Sequence, residues 1–95
     1  MSGPLRSPYT DVFGLSAREC HSLYADLQKV LAAISSSPRY AFQIRKNAEL
    51  SNTKEVRRLI RQSGLVSPFD VAYTPDGINI TILKDHGHLT ASLRW

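Results

Sequence analysis

The chemistry most strongly suggested by this sequence is that of a basic stripe in "NTKEVRRLIRQSG", residues 52–64. The stripe consists of Lys54, Arg57, Arg58 and Arg61. This i, i+3, i+4, i+7 spacing places all four cations on one face if the segment is helical. Guanidinium groups form forked hydrogen bonds that suit phosphates and carboxylates. The stripe therefore predicts a surface for an anionic partner, and the alternative is a solvated helix face.

Catalytic and metal-binding residues are much less evident. Cys20, the only cysteine, lies within an apolar stripe, which favours a small buried hydrophobic residue over a nucleophile. Asp85, His86 and His88 resemble part of a metal site, but a structural zinc site needs four ligands. Neither a glycine-rich phosphate loop nor a GxSxG or HExxH motif is present. We predict a protein that is not an enzyme, with no catalytic residue, no metal and no cofactor of its own.

The overall composition agrees with a small binding protein. The chain has 95 residues and a net charge of +4, and seven of its twelve basic residues lie between positions 39 and 61. No apolar run approaches the roughly 20 residues of a transmembrane helix, and the N-terminal segment lacks the apolar core of a secretory signal. The lone cysteine fits a reducing compartment.

Three helices are predicted to position the basic stripe. Residues 1–14, rich in Pro, Ser and Gly, are predicted to form an extended arm. Ser16 and Glu19 have the spacing of a capping box, which predicts a first helix over residues 17–34. A proline after Ser37 predicts a second helix over residues 38–49. Asn52, as an N-cap, predicts a third helix from residue 53 to about residue 63, ended by a glycine.

After residue 68 the apolar periodicity changes from 3.6 to 2, which is typical of strands. Alternating segments at residues 69–73, 78–82 and 89–95 are separated by the turn sequences "TPDG" and "DHGH". We therefore predict an α+β fold, in which a three-helix core over residues 15–66 precedes a three-stranded antiparallel meander over residues 67–95. The last strand is a candidate for pairing with another chain's edge.

Two functional interpretations fit this order of elements. In the first, the second helix, the short turn and the basic third helix, followed by a hairpin, form a winged-helix or ribosomal-type nucleic-acid-binding protein. The third helix would then enter the major groove. This helix carries arginine, which can recognise guanine, but it has no central Asn or Gln, the residues that recognise adenine.

In the second interpretation, which we favour over the nucleic-acid alternative, the sequence resembles the LYR-motif family, which consists of small, basic three-helix proteins of mitochondria. The resemblance lies in "LY" at residues 23–24, "YAFQIR" at 40–45 and the basic segment at 52–64, with Ala25 where the family has Arg. It implies a non-catalytic accessory subunit or assembly factor of a respiratory complex, ATP synthase or the mitochondrial ribosome, in the matrix or at the matrix side of the inner membrane.

The resemblance also implies a partner and a binding surface. Many members embrace a mitochondrial acyl carrier protein, whose acidic surface and phosphopantetheine-linked acyl chain would meet the basic helices. Combined with the basic stripe, this predicts a partner-binding set formed by Tyr24, Tyr40, Arg45, Lys46, Lys54, Arg57, Arg58 and Arg61.

Overall fold

The protein is described by a computed structural model over residues 8–95, with side chains from residue 11 onward. The helices are α1 (Pro8–Ser36), α2 (Pro38–Glu49) and α3 (Thr53–Gln62). The strands that follow are β1 (Phe69–Thr74), β2 (Gly77–Leu83) and β3 (His88–Arg94). They form an antiparallel sheet in the order β1-β2-β3. This architecture confirms the predicted α+β fold, with three helices followed by a three-stranded meander.

Helix α1 begins earlier than predicted. Residues 1–14 were predicted to form an extended arm, and this is wrong for residues 8–14, which are helical. Residues 1–7 lie outside the described part of the chain. Ser16 therefore caps nothing, since two helical turns precede it. Residues 11–15 of these turns include no buried apolar side chain, and Val12 and Phe13 are 55% and 75% exposed. Extending a helix that is already formed costs less than starting one, so the segment is helical without the pattern that predicts a helix.

The other two helices begin and end close to where capping residues predict. The Ser37 side chain accepts a hydrogen bond from the amide of Tyr40, and Asn52 accepts one from the amide of Glu55. Gly64 follows α3 with a φ of 102°, the left-handed conformation for which glycine is favoured. These contacts satisfy amide and carbonyl groups that a helix end would otherwise leave without partners.

One face of the sheet packs on the helices. The register pairs Val71 with Ile80 and Ile80 with Ala91, so every second residue of each strand points to the same side. Helix α1 packs on β3 and β2, and α2 packs on α1 and α3. The side chains buried between these layers are Leu23, Leu27, Val30, Ile44, Ala48, Val56, Leu59, Ile60, Leu65, Phe69, Ile78, Ile80 and Ile82.

Candidate functional site

Two arginines of the predicted basic stripe are engaged by their own chain. The Arg57 guanidinium donates to the carbonyl oxygen of Phe69 at 3.0 Å, where β1 begins. Arg61 donates from one nitrogen to the carbonyl oxygens of Leu65 and Ser67, each at 3.0 Å. Both guanidinium groups therefore satisfy backbone acceptors in the connection between α3 and β1.

The ring of Phe69 lies beneath the same two guanidinium groups. The Arg57 and Arg61 guanidinium carbons are 4.4 and 4.6 Å from the ring centroid. At these distances a cation is attracted to the electron-rich face of an aromatic ring. Phe69 is only 3% exposed: it belongs to the hydrophobic core, and the two arginines lie over its ring. We call Arg57, Arg61, Leu65, Ser67 and Phe69 the arginine junction.

Helix α1 holds the arginine junction from its other side. The Asp26 carboxylate, 7% exposed, accepts a hydrogen bond from the Ser67 amide at 3.1 Å and lies 3.4 Å from the Lys29 ammonium. Desolvation acts to raise the pKa of Asp26, but hydrogen bonds from Ser67 and Lys29 outweigh it, so that the pKa is lowered. The connection is therefore fixed to α3 through carbonyl oxygens and to α1 through an amide.

The rest of the stripe lies on the surface. Arg58 forms a two-pronged ion pair with Glu55, including a bond of 2.8 Å from its Nε atom. Hydrogen bonds from Arg58 lower the pKa of the Glu55 carboxylate, and the pair raises the pKa of Arg58. Lys54 is exposed. The four basic residues lie on one face of α3, as predicted, but Arg57 and Arg61 contact backbone carbonyl oxygens and an aromatic ring.

The remaining members of the predicted partner-binding set are dispersed. Tyr24 is exposed on α1, whereas Tyr40 is half-buried on α2 and donates to the carbonyl oxygen of Leu59. Burial raises the pKa of Tyr40. Arg45 lies 3.4 Å from Glu49, and the Lys46 ammonium lies 5.9 Å from the ring of Phe42. The structure thus does not bring the eight residues into one site, and a partner role for the exposed ones stays a prediction.

An apolar groove lies at the opposite end of the sheet from the β2–β3 turn. It is open to solvent, has a volume of about 350 Å³, and lies between α2, the end of α1 and the paired ends of β2 and β3. Its lining consists of the apolar residues Ile34, Pro38, Ala41, Phe42, Ile44, Ile78, Leu93 and Trp95, together with Arg45 and Arg94. Trp95 is fixed in place because its indole donates to the Thr74 carbonyl oxygen at 2.9 Å.

Sequence patterns did not reveal the apolar groove, because its residues come from four elements, and the two helices lie far from the two strands along the chain. One available indication was Phe42, an aromatic residue beside the apolar stripe of its helix rather than within it. In the structure Phe42 is 62% exposed. A second indication was Trp95, which continues the apolar alternation of β3 just past the end of that strand.

The β2–β3 turn is held against α1 at the other end of the sheet. Glu19 accepts from the amide of His86 at 2.7 Å and contacts its ring at 3.2 Å. The hydrogen bond from the His86 amide is the main reason that the pKa of Glu19 is lowered. Gly87 packs so closely on α1 that an added Cβ atom would lie 2.9 Å from the Cys20 sulfur. Glu19 therefore anchors the turn instead of capping a helix.

Within residues 11–95 the residues that could act as metal ligands are dispersed. The structure places no three His, Cys, Asp or Glu side chains of this segment together as metal ligands. His86 contacts Glu19, while the half-buried Cys20 thiol points to the His88 carbonyl oxygen at 3.6 Å. No helix among those described combines the length and hydrophobicity required to cross a bilayer.

Comparison with known proteins gives two agreeing matches. A family model described as "YuzC spore coat inner layer protein" matches residues 10–92. A Bacillus subtilis (strain 168) protein described as "Uncharacterized protein YuzC" is 35% identical over 85 residues, which cover 90% of this chain and 70% of the relative. No solved structure matches the chain significantly.

These matches overturn the resemblance to the LYR-motif family. The predicted mitochondrial location and the predicted role in a respiratory or ribosomal complex are wrong, since the matching family is one of bacterial spore proteins. The acyl carrier protein was inferred only through that resemblance and loses its basis. The nucleic-acid alternative is not supported either, because the matching family is described as a protein of the inner spore coat.

Proposed function

Because this chain belongs to the YuzC spore coat inner layer protein family, we propose that it is a non-catalytic structural protein of that layer. In this proposal it contacts neighbouring coat proteins through its apolar groove and requires no cofactor. The observation that carries the proposal is the groove itself, which leaves aromatic and aliphatic side chains open to solvent. A concave, mostly apolar surface with a few polar groups is typical of a binding site.

The residue types at the groove support this role. Phe42 and Trp95 provide aromatic surface, and Arg45 and Arg94 lie beside them. Aromatic residues and arginine are the types that contribute most to binding energy at protein interfaces. Trp95 is held by hydrogen bonds from its indole and from its backbone amide, so little side-chain entropy is lost when a partner covers it.

The arrangement of potentially reactive groups supports a role without catalysis. Cys20 is half-buried, with its thiol directed at a backbone carbonyl oxygen and packed against Gly87. A nucleophilic cysteine needs a base within hydrogen-bond reach and access for substrate. The nearby His86 ring instead contacts the Glu19 carboxylate.

Localisation in spores tests the proposal. An epitope-tagged copy of the chain, expressed in a sporulating Bacillus strain, is expected in the inner coat fraction of purified spores. The variant Phe42→Glu, which places a charge in the apolar groove, is expected to reduce this incorporation, while Val66→Glu serves as the control. Val66 is 78% exposed and lies outside the groove. Recovery of the wild-type protein only outside the spore would contradict the proposed function.

A further inference from the structure

We propose that the apolar groove binds the N-terminal end of α1 from a second copy of this chain, so that successive copies associate head to tail. The binding element consists of the exposed Val12 and Phe13, which we call the α1 tip. The inference deepens the proposed function and rests on it, because it names the partner that the groove receives within the coat.

The α1 tip extends beyond the body of the molecule. The β2–β3 turn marks the end of the sheet, and it packs on α1 at Ser16 and Cys20 through Gly87. The helix continues from there to Pro8 in the direction away from the groove. Eight helical residues before Ser16 correspond to a projection of about 12 Å. Among the described residues the tip is thus a largely exposed apolar surface, with Val12 55% and Phe13 75% open to solvent.

A single copy cannot place its tip in its own groove. Phe13 and Ile34, which belong to the tip and the groove, lie 21 residues apart on one helix, and this corresponds to about 31 Å. An α1 tip that occupies the groove must therefore come from another molecule.

The two surfaces are complementary in chemistry and charge. Val12 and Phe13 offer an aliphatic and an aromatic side chain to a groove whose walls include Phe42, Leu93 and Trp95. The first turn of α1 includes the acidic residue Asp11, which also interacts within its own chain, while the lining of the groove includes Arg45 and Arg94. Opposite charge beside two apolar surfaces favours their contact in one orientation.

This contact joins two different surfaces, so it leaves a free tip at one end of every dimer and a free groove at the other. Such heterologous contacts generate open chains unless the rotation between copies closes a ring. Growth by repeated addition suits a protein that forms part of a continuous layer.

Sedimentation of two complementary variants tests the proposal. Wild-type protein at about 0.15 M salt, where the repulsion between its +4 charges is screened, is expected to form species larger than dimers as its concentration rises. Phe13→Glu keeps an intact groove and Phe42→Glu keeps an intact tip. Each variant alone is expected to associate at least about tenfold more weakly than wild type. Their mixture is expected to form a one-to-one dimer and nothing larger.

The control and the contrary outcomes are well defined. Val66→Glu is expected to associate like wild type, and circular dichroism is expected to show that all variants are folded, since each changed residue is mostly exposed. A wild-type protein that stays monomeric, or a Phe13→Glu protein that associates normally, would overturn the head-to-tail contact. If the same wild-type protein still enters the inner coat, the proposed function stands and the groove receives a different coat protein.

Discussion

The arginine junction and the apolar groove use their surface residues in opposite ways. At the junction, two charged side chains that looked available for a partner instead cover Phe69 and bind carbonyl oxygens of their own backbone. At the groove, residues from apolar patterns, which suggest a core, stay open to solvent. The comparison teaches that a dense row of cations can be structural, and that the apolar layer left partly uncovered is the surface for which we propose a partner.

The largest effect is expected from Phe69→Ala at the arginine junction. The change removes a buried ring and the platform on which Arg57 and Arg61 lie. We expect the free energy of unfolding to fall by about 3–5 kcal/mol, as measured by urea denaturation. A loss below about 1 kcal/mol would mean that the junction contributes little to the fold, and the contrast with the groove would disappear.

A smaller loss is expected from Arg61→Ala, which leaves the carbonyl oxygens of Leu65 and Ser67 without their donor. We expect a loss of about 1–2 kcal/mol in the free energy of unfolding. Arg58→Ala is the matched control, because Arg58 has the same side chain on the same helix but pairs with Glu55 in solvent. Equal losses for both variants would show that the inward contacts add no stability.

Acid titration of Asp26→Asn sharpens the same point. The pKa of Asp26 is lower in the folded state than its ordinary value. The ionised carboxylate therefore stabilises the fold fully at pH values above the ordinary pKa. This stabilisation is lost as the pH falls through the lowered folded-state pKa. We expect the variant to be less stable by about 1 kcal/mol at neutral pH.

The difference between wild type and Asp26→Asn should shrink as the pH falls below about 4. Urea unfolding at a series of pH values measures it. A difference that stays constant down to the lowest pH would argue against the bond between Asp26 and Ser67.

The smallest effect on stability is expected at the groove. Phe42 is 62% exposed, so Phe42→Glu should change the free energy of unfolding by no more than about 0.5 kcal/mol. Thermal unfolding measures this, with Val66→Glu as the control on an exposed loop. A large loss would mean that Phe42 belongs to the core, and the variant would then be unsuitable for the association experiments.

The fold could be predicted from the sequence because the signals that define its helices and strands lie within short segments of the chain. Ser37 and Asn52 cap their helices, Gly64 ends α3, and the two-residue alternation fixes the strands and their apolar face. The start of α1 could not be predicted, since Val12 and Phe13 have no buried side and so leave no periodic pattern.

The sites were predictable only in part, because their geometry depends on distant segments. The spacing of Arg57 and Arg61 correctly places them on one face of α3. It does not reveal that backbone carbonyl oxygens and the Phe69 ring lie against their guanidinium groups. The groove combines Ile34, Phe42 and Trp95, whose approach depends on how α2 packs beside the sheet. The resemblance to the LYR-motif family failed because a few residues at loose spacing occur in unrelated helical proteins.

Trp95, the only tryptophan of the chain, lies in the groove and is fixed to the β1–β2 turn by its indole. The native fluorescence of the protein therefore originates from the very surface where a partner is proposed to bind. Covering the indole removes water from its excited-state environment, so occupancy should appear as a blue shift of the emission. The molecule thus carries its own optical probe, and titrations of the groove require no dye or label.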